Sequence, residues 1–135
     1  MALNFNNLKN SIISLEKSLK IAKVIEIENS DREMFEVVRA GVIQNFEVCY
    51  ESAWKAMKRW LEENVEEVDG VTRRALFIKG TESKLITDIE KWMLFHRARN
   101  STSHVYEEET AEEVYKIAFE FISYAKELLE KLEVR

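Results

Sequence analysis

No proline occurs anywhere in this chain, and its only glycines are Gly41, Gly70 and Gly80. Sandwiches and barrels turn often and place Gly and Pro at those turns. A chain without them is directed towards long helices and few connections. Its 135 residues are 46% hydrophobic and 33% charged, long enough to bury a core without staples and too apolar for disorder. The expectation is one all-α domain over residues 1–135.

Apolar periodicity divides that domain. Leu8, Ile12, Leu15, Leu19 and Ala22 alternate steps of four and three, predicting a helix from Asn6 to Ile25. Ser30-Asp31-Arg32-Glu33 reads as a capping box that opens a second helix. The run Phe35, Val38, Val42, Phe46, Cys49, Ala53, Met57, Trp60 carries it to about Asn64. Gly41 inside that run costs roughly 1 kcal/mol against alanine, which close approach of a neighbouring helix would explain. Asp69-Gly70 is a turn signal, and Val71 to Lys79 predicts a short helix stopped by Gly80. Leu85, Ile89, Trp92 and Met93 mark a helix from Leu85 to Arg99, with a break expected over Asn100 to Ser103. A second capping box, Thr110-Ala111-Glu112-Glu113, precedes the cleanest stripe: Val114, Ala118, Phe121, Ala125, Leu128, Leu132. The predicted fold is an antiparallel four-helix bundle with a short extra helix between the second and third long helices.

Several function classes fall away. Cys49 is alone, and with only His96 and His104 no Cys/His zinc site is expected, nor any other metal or cofactor. The amino-terminal residues lack the basic and apolar regions of a signal peptide, and no apolar run is long enough to span a bilayer; a cytoplasmic protein without membrane contact is expected. The net charge of −5 argues against a general nucleic-acid coat, so any action on RNA requires a local basic site.

The segment from Lys91 to His104 is such a site, with both histidines and several cations. Arg99 and His104 are five residues apart, a rotation of roughly 140° on a continuous helix. They converge only if the helix breaks between them. Such a pair suits phosphoryl transfer: arginine offers a fixed cationic fork, and histidine near neutrality moves a proton. His104 would take the proton of an RNA 2′-hydroxyl, and Arg99 would stabilise the charge building on phosphorus. Taken alone, the spacing also fits an ordinary helix end with a loop histidine.

Arg99-Asn100-x-x-x-His104-x-Tyr106 resembles the Arg-x4-His-x-Tyr form of the HEPN superfamily motif. That form is found in HEPN proteins paired with a minimal nucleotidyltransferase, also described as nucleotidyltransferase substrate-binding proteins. Phe46-Glu47-Val48-Cys49-Tyr50-Glu51-Ser52-Ala53-Trp54-Lys55 is similar to a second block of that family, and the order Trp92, Arg99-Asn100, His104 also agrees. The resemblance extends over roughly Leu8 to Leu132. It implies a homodimer of bundles whose motifs face a shared cleft, and a metal-independent endoribonuclease toxin. It also implies a cognate minimal nucleotidyltransferase antitoxin that transfers AMP to the motif tyrosine. Carried across, Arg99 and His104 would be catalytic, Asn100 would orient the site, and Tyr106 would accept the modification.

Other residues remain open between roles. Glu47 and Glu51, one turn apart, are read as positioning Arg99 or Lys55. His96 is either a second basic contact or a partly buried helix residue. Trp54, Trp60 and Trp92 suit core or interface positions better than base stacking. Arg73, Arg74, Lys79 and Lys84 either guide an RNA backbone or an acidic partner, or form a solvated loop. Glu107-Glu108-Glu109 beside the motif suits capping or subunit contact better than RNA. Two alternatives to the ribonuclease stand. One is a non-catalytic nucleotidyltransferase substrate-binding subunit that grips a phosphate-bearing ligand; the other is a bundle that serves only for interaction.

Overall fold

The computed structural model describes residues 3–28, 31–65 and 67–134. Its helices are α1 (Asn6–Glu28), α2 (Arg32–Asn64), α3 (Arg73–Glu82), α4 (Ile89–Ser101) and α5 (Glu108–Val134), with a 3₁₀ turn at Thr102–His104 between α4 and α5. The described residues contain no strand. The four longer helices make an antiparallel bundle, and α3 is the short element between the second and third of them. The predicted stripes are its interior. Leu8, Ile12, Leu15, Leu19 and Ala22 of α1 are all buried, as are the six apolar positions predicted for α5. Two positions of the α2 stripe, Val38 and Trp60, are only partly buried. No helix among the described residues is long and apolar enough to cross a membrane.

Several boundaries differ from the sequence expectation. Ser30 lies outside the described residues; the N-cap of α2 is Asp31, whose carboxylate accepts from the Glu33 and Met34 amides at 3.0 and 3.2 Å. The helix predicted from Leu85 starts at Ile89 instead, because Lys84 and Asp88 adopt positive φ (62° and 58°). Between them the Leu85 and Ile86 amides close the end of α3 on the Gly80 carbonyl, and both side chains are buried. The Thr110 box does not form, because α5 already begins at Glu108. Glu108 is drawn there by Arg32 at 2.7 Å and Arg39 at 2.9 Å.

The glycines exchange roles. Gly41 is exposed, with nothing within 4 Å of where a Cβ would stand, so among the described residues no neighbouring helix approaches it closely. Gly80 does not stop α3 but lies inside it, and its Cβ would come 2.7 Å from Met57 Sδ in the core. Gly70, with φ +79°, is the turn residue that the sequence indicates. In urea unfolding, Gly41→Ala is expected to raise stability by about 0.5–1 kcal/mol, and Gly80→Ala to lower it by about 1–3 kcal/mol through overpacking.

Candidate functional site

The end of α4 builds the site. Asn100 to Ser103 weaken a helix because their side chains compete for backbone groups. Here that competition tapers the helix rather than breaking it at Asn100. The Ser101 hydroxyl donates to the Arg97 carbonyl at 3.0 Å, Thr102 to Arg99 at 2.7 Å and Ser103 to Asn100 at 3.4 Å. The chain continues helical through Ser101 and tightens into the 3₁₀ turn. Thr102 has a second task. Its buried hydroxyl oxygen accepts from Arg99 Nη1 at 3.1 Å, so the group that ends the helix also orients the guanidinium.

Arg99 turns towards α2. Its Nη1 lies 3.5 Å from Glu47 and its Nε 3.2 Å from Glu51, one turn apart on that helix. Nε is buried, and its approach to Glu51 lacks hydrogen-bond geometry. Glu51 also accepts from Trp54 Nε1 at 2.6 Å, so its carboxylate is fixed from two sides. The expected pairing of these glutamates is with Arg99, not with Lys55, which is exposed beside the Trp54 ring. All five residues line a groove of about 1530 Å³ along α2, together with Arg39, Val105 and Tyr106.

His104 and Tyr106 lie beyond the helix end. His104 Nδ1 is 3.4 Å from the Tyr106 hydroxyl, and Tyr106 is 79% exposed. The structure therefore brings Arg99 and Tyr106 to one groove and His104 to Tyr106. Arg99 itself is partnered by Glu47, Glu51 and Thr102.

A second set of polar groups lies behind Asn100. The Asn100 amide is 3.4 Å from His96 Nε2, and His96 Nδ1 is 2.9 Å from the Tyr50 hydroxyl. That hydroxyl accepts from Arg73 Nη1 at 3.1 Å. Arg73 stands over Trp54, its Cζ 3.7 Å from the ring centroid. Burial pushes the Tyr50 phenol up to about 12, so it stays protonated. Partial burial, and then the Arg73 charge, hold His96 below the ordinary histidine value, while Glu51 opposes them. His96 is thus a neutral link between α2 and the motif. Cys49 is buried, and burial raises its thiol to about 12, which leaves it unreactive. No group of three or more His, Cys, Asp or Glu side chains among the described residues is arranged to hold a metal.

Residues 3–134 match the family described as nucleotidyltransferase substrate binding protein like. The chain belongs to that family. Its relatives include a Haemophilus influenzae protein named "Probable ribonuclease HepT", 32% identical over 144 residues, covering 98% of this chain and 94% of the relative. A solved Haemophilus influenzae structure, described as revealing the fold of a substrate binding domain of a nucleotidyltransferase, superposes with TM-score 0.88 at 30% identity. That match covers 96% of this chain and 99% of the other. A crystal structure from Thermus thermophilus shares the fold with TM-score 0.66 at 24% identity, covering 87% and 98%.

Within this family member, sequence reasoning passed over Thr102 and Tyr50. A β-branched polar residue at a helix end, and a tyrosine at i+4 from Phe46, gave no sign of shared hydrogen bonds. His96 offers a pH test. Its folded value is depressed, so the unfolded chain binds the proton more readily. The His96 contribution is present above about pH 6.5 and is lost as pH falls through that value towards the folded one. Chemical denaturation from about pH 8 to about pH 5 should show the stability gap between wild type and His96→Gln narrowing on acidification. A gap that widens would mean that His96 is protonated in the fold.

Proposed function

We propose that this protein is a HEPN-type toxin, a metal-independent endoribonuclease controlled by a cognate minimal nucleotidyltransferase. The observation that carries the reading is the Arg99 guanidinium held at the groove by Glu47, Glu51 and Thr102, with His104 and Tyr106 in contact just beyond. A guanidinium fixed before substrate arrives has little ordering left to lose when a phosphate docks. His104 takes the proton of an RNA 2′-hydroxyl, and the freed 2′-oxygen attacks phosphorus. The bond to the 5′-oxygen then breaks, that oxygen leaving as a hydroxyl with a proton from water and the phosphorus as a 2′,3′-cyclic phosphate, while Arg99 stabilises the charge on the phosphoryl oxygens. Asn100, tied to His96, orients the site. The relative named a probable ribonuclease supports this direction.

In one chain Arg99 faces the groove while His104 stands outside its lining, which favours a site completed by a second copy across a homodimer. Tyr106 is the acceptor for the nucleotidyl group. Phosphate and nucleoside added at that hydroxyl would set negative charge and bulk where RNA phosphate has to lie. A second reading, a cytoplasmic subunit that grips a phosphate for the nucleotidyltransferase without cleaving, is favoured by the two carboxylates that already neutralise Arg99.

The deciding experiment expresses the protein without any nucleotidyltransferase and examines cellular RNA. Wild type is expected to arrest growth and cut RNA, with purified activity that survives chelation of metals. Arg99→Ala and His104→Ala should each lower cleavage by at least about 100-fold. Intact RNA from folded wild-type protein would transfer the assignment to the substrate-binding subunit. On the same assay Thr102→Val should lower the rate by roughly 10-fold or more, and Thr102→Ser should largely restore it, because it is the hydroxyl of Thr102 that contacts Arg99.

A further inference from the structure

Most of the arginines around the site are neutralised. Arg32 pairs with Glu36 and Glu108, Arg39 with Glu108 and Glu112, Arg74 with Glu90, and Arg99 with Glu47 and Glu51. Arg73 pairs with no carboxylate of the described residues. Its one hydrogen bond is to the neutral Tyr50 hydroxyl. The first turn of α3, which it opens, carries no acid. Yet Arg73 is not a loose surface cation. It is partly buried, its Cζ 3.7 Å from the Trp54 ring centroid and 5.9 Å from the Tyr50 ring centroid. A guanidinium held over a ring and anchored through Nη1 keeps its other N–H groups for a ligand and has already lost most of its rotamer freedom. An uncompensated charge in such a fixed pose is what an anion subsite needs.

Its location says which anion. Arg73, Tyr50, His96 and Asn100 form an unbroken series of contacts that ends one residue from Arg99. Arg97, exposed and next to His96 on α4, adds positive charge there and acts on His96 together with Arg73. We propose that Arg73 binds a backbone phosphate of single-stranded RNA, one that flanks the phosphate held at Arg99. The proposal rests on the RNA-directed reading above and adds a second anchoring point to it. It also gives a chain of net charge −5 a fixed cation without a carboxylate partner with which to engage a polyanion.

The test measures binding of the wild-type protein to a 2′-O-methylated oligouridylate, which lacks the attacking hydroxyl and stays intact, across a series of salt concentrations. Arg73→Gln keeps a donor for Tyr50 and removes the charge. It should weaken binding several-fold and flatten the slope of log K against log salt by about 0.7, the share of one single-strand phosphate contact. Arg73→Lys should retain the slope while losing part of the affinity. Circular dichroism confirms the fold of both variants. Wild-type binding with an unchanged slope in Arg73→Gln overturns the subsite and leaves the ribonuclease reading intact. Wild-type protein that is folded but binds no RNA removes that reading, and the subsite with it.

Discussion

Phe121 of α5 is the ring around which the molecule is arranged. Phe46 and Tyr50 of α2 meet it at 5.3 and 6.2 Å between centroids, and Trp92 and Phe95 of α4 at 5.8 and 5.0 Å. The pairs with Phe46, Trp92 and Phe95 are edge-to-face, a geometry that contributes about 0.5–1.5 kcal/mol each beyond the area they bury. The cluster matters most for α4, whose 13 residues would not hold a helix alone in water. Trp92, Phe95 and Ala98 bury its inner face. Its outer turns then carry His96, Asn100 and Arg99 to fixed positions against α2. Tyr50 belongs to both regions: its ring packs on Phe121 while its hydroxyl reaches His96.

Charge is organised around that frame. The three consecutive glutamates after the motif look hostile to RNA, but Glu108 is neutralised by Arg32 and Arg39, and Glu107 accepts from Thr110 at 3.4 Å. These contacts fix the start of α5 as Thr102 fixes the end of α4. On the far side, ion pairs such as Lys91 with Glu120 and Lys126 with Glu16 join helices at the surface, where each contributes little to stability. The electrostatic interest of the molecule is therefore local: a few cations of fixed geometry on an acidic body.

Much of this is visible in the amino-acid sequence, for identifiable reasons. The stripes of α1 and α5 are regular because each helix buries one face against the same core throughout, and period alone recovers them. Helix ends are harder. Asp88 starts α4 from a left-handed conformation, a choice set by the packing of Leu85 and Ile86 rather than by local propensity. The hydroxyls of Ser101 to Ser103 are weak helix formers by type, yet bonded back to carbonyls they draw the helix gradually to its close. Gly41 and Gly80 look alike in sequence, and only the nearness of Met57 tells them apart. In the candidate site, residue type and helical spacing mark Glu47 and Glu51 as partners of Arg99 or Lys55, and only the packing of α4 on α2 selects Arg99. The Arg73–Trp54 contact follows from neither type nor spacing, because it joins elements whose relative placement no local pattern encodes.

Tyr106 sits on a short loop secured at both ends, by Thr102 before it and Glu108 after it. The chain has four tyrosines; Tyr50 and Tyr115 are buried and Tyr124 is packed against Phe95, while Tyr106 projects into solvent. A group attached to its hydroxyl would displace no core atom and disturb neither anchor. The occupancy of this one position can therefore change on the finished molecule, with folding and labelling as separate events. Anything carried at this position would change what can approach the groove without changing the body that carries it.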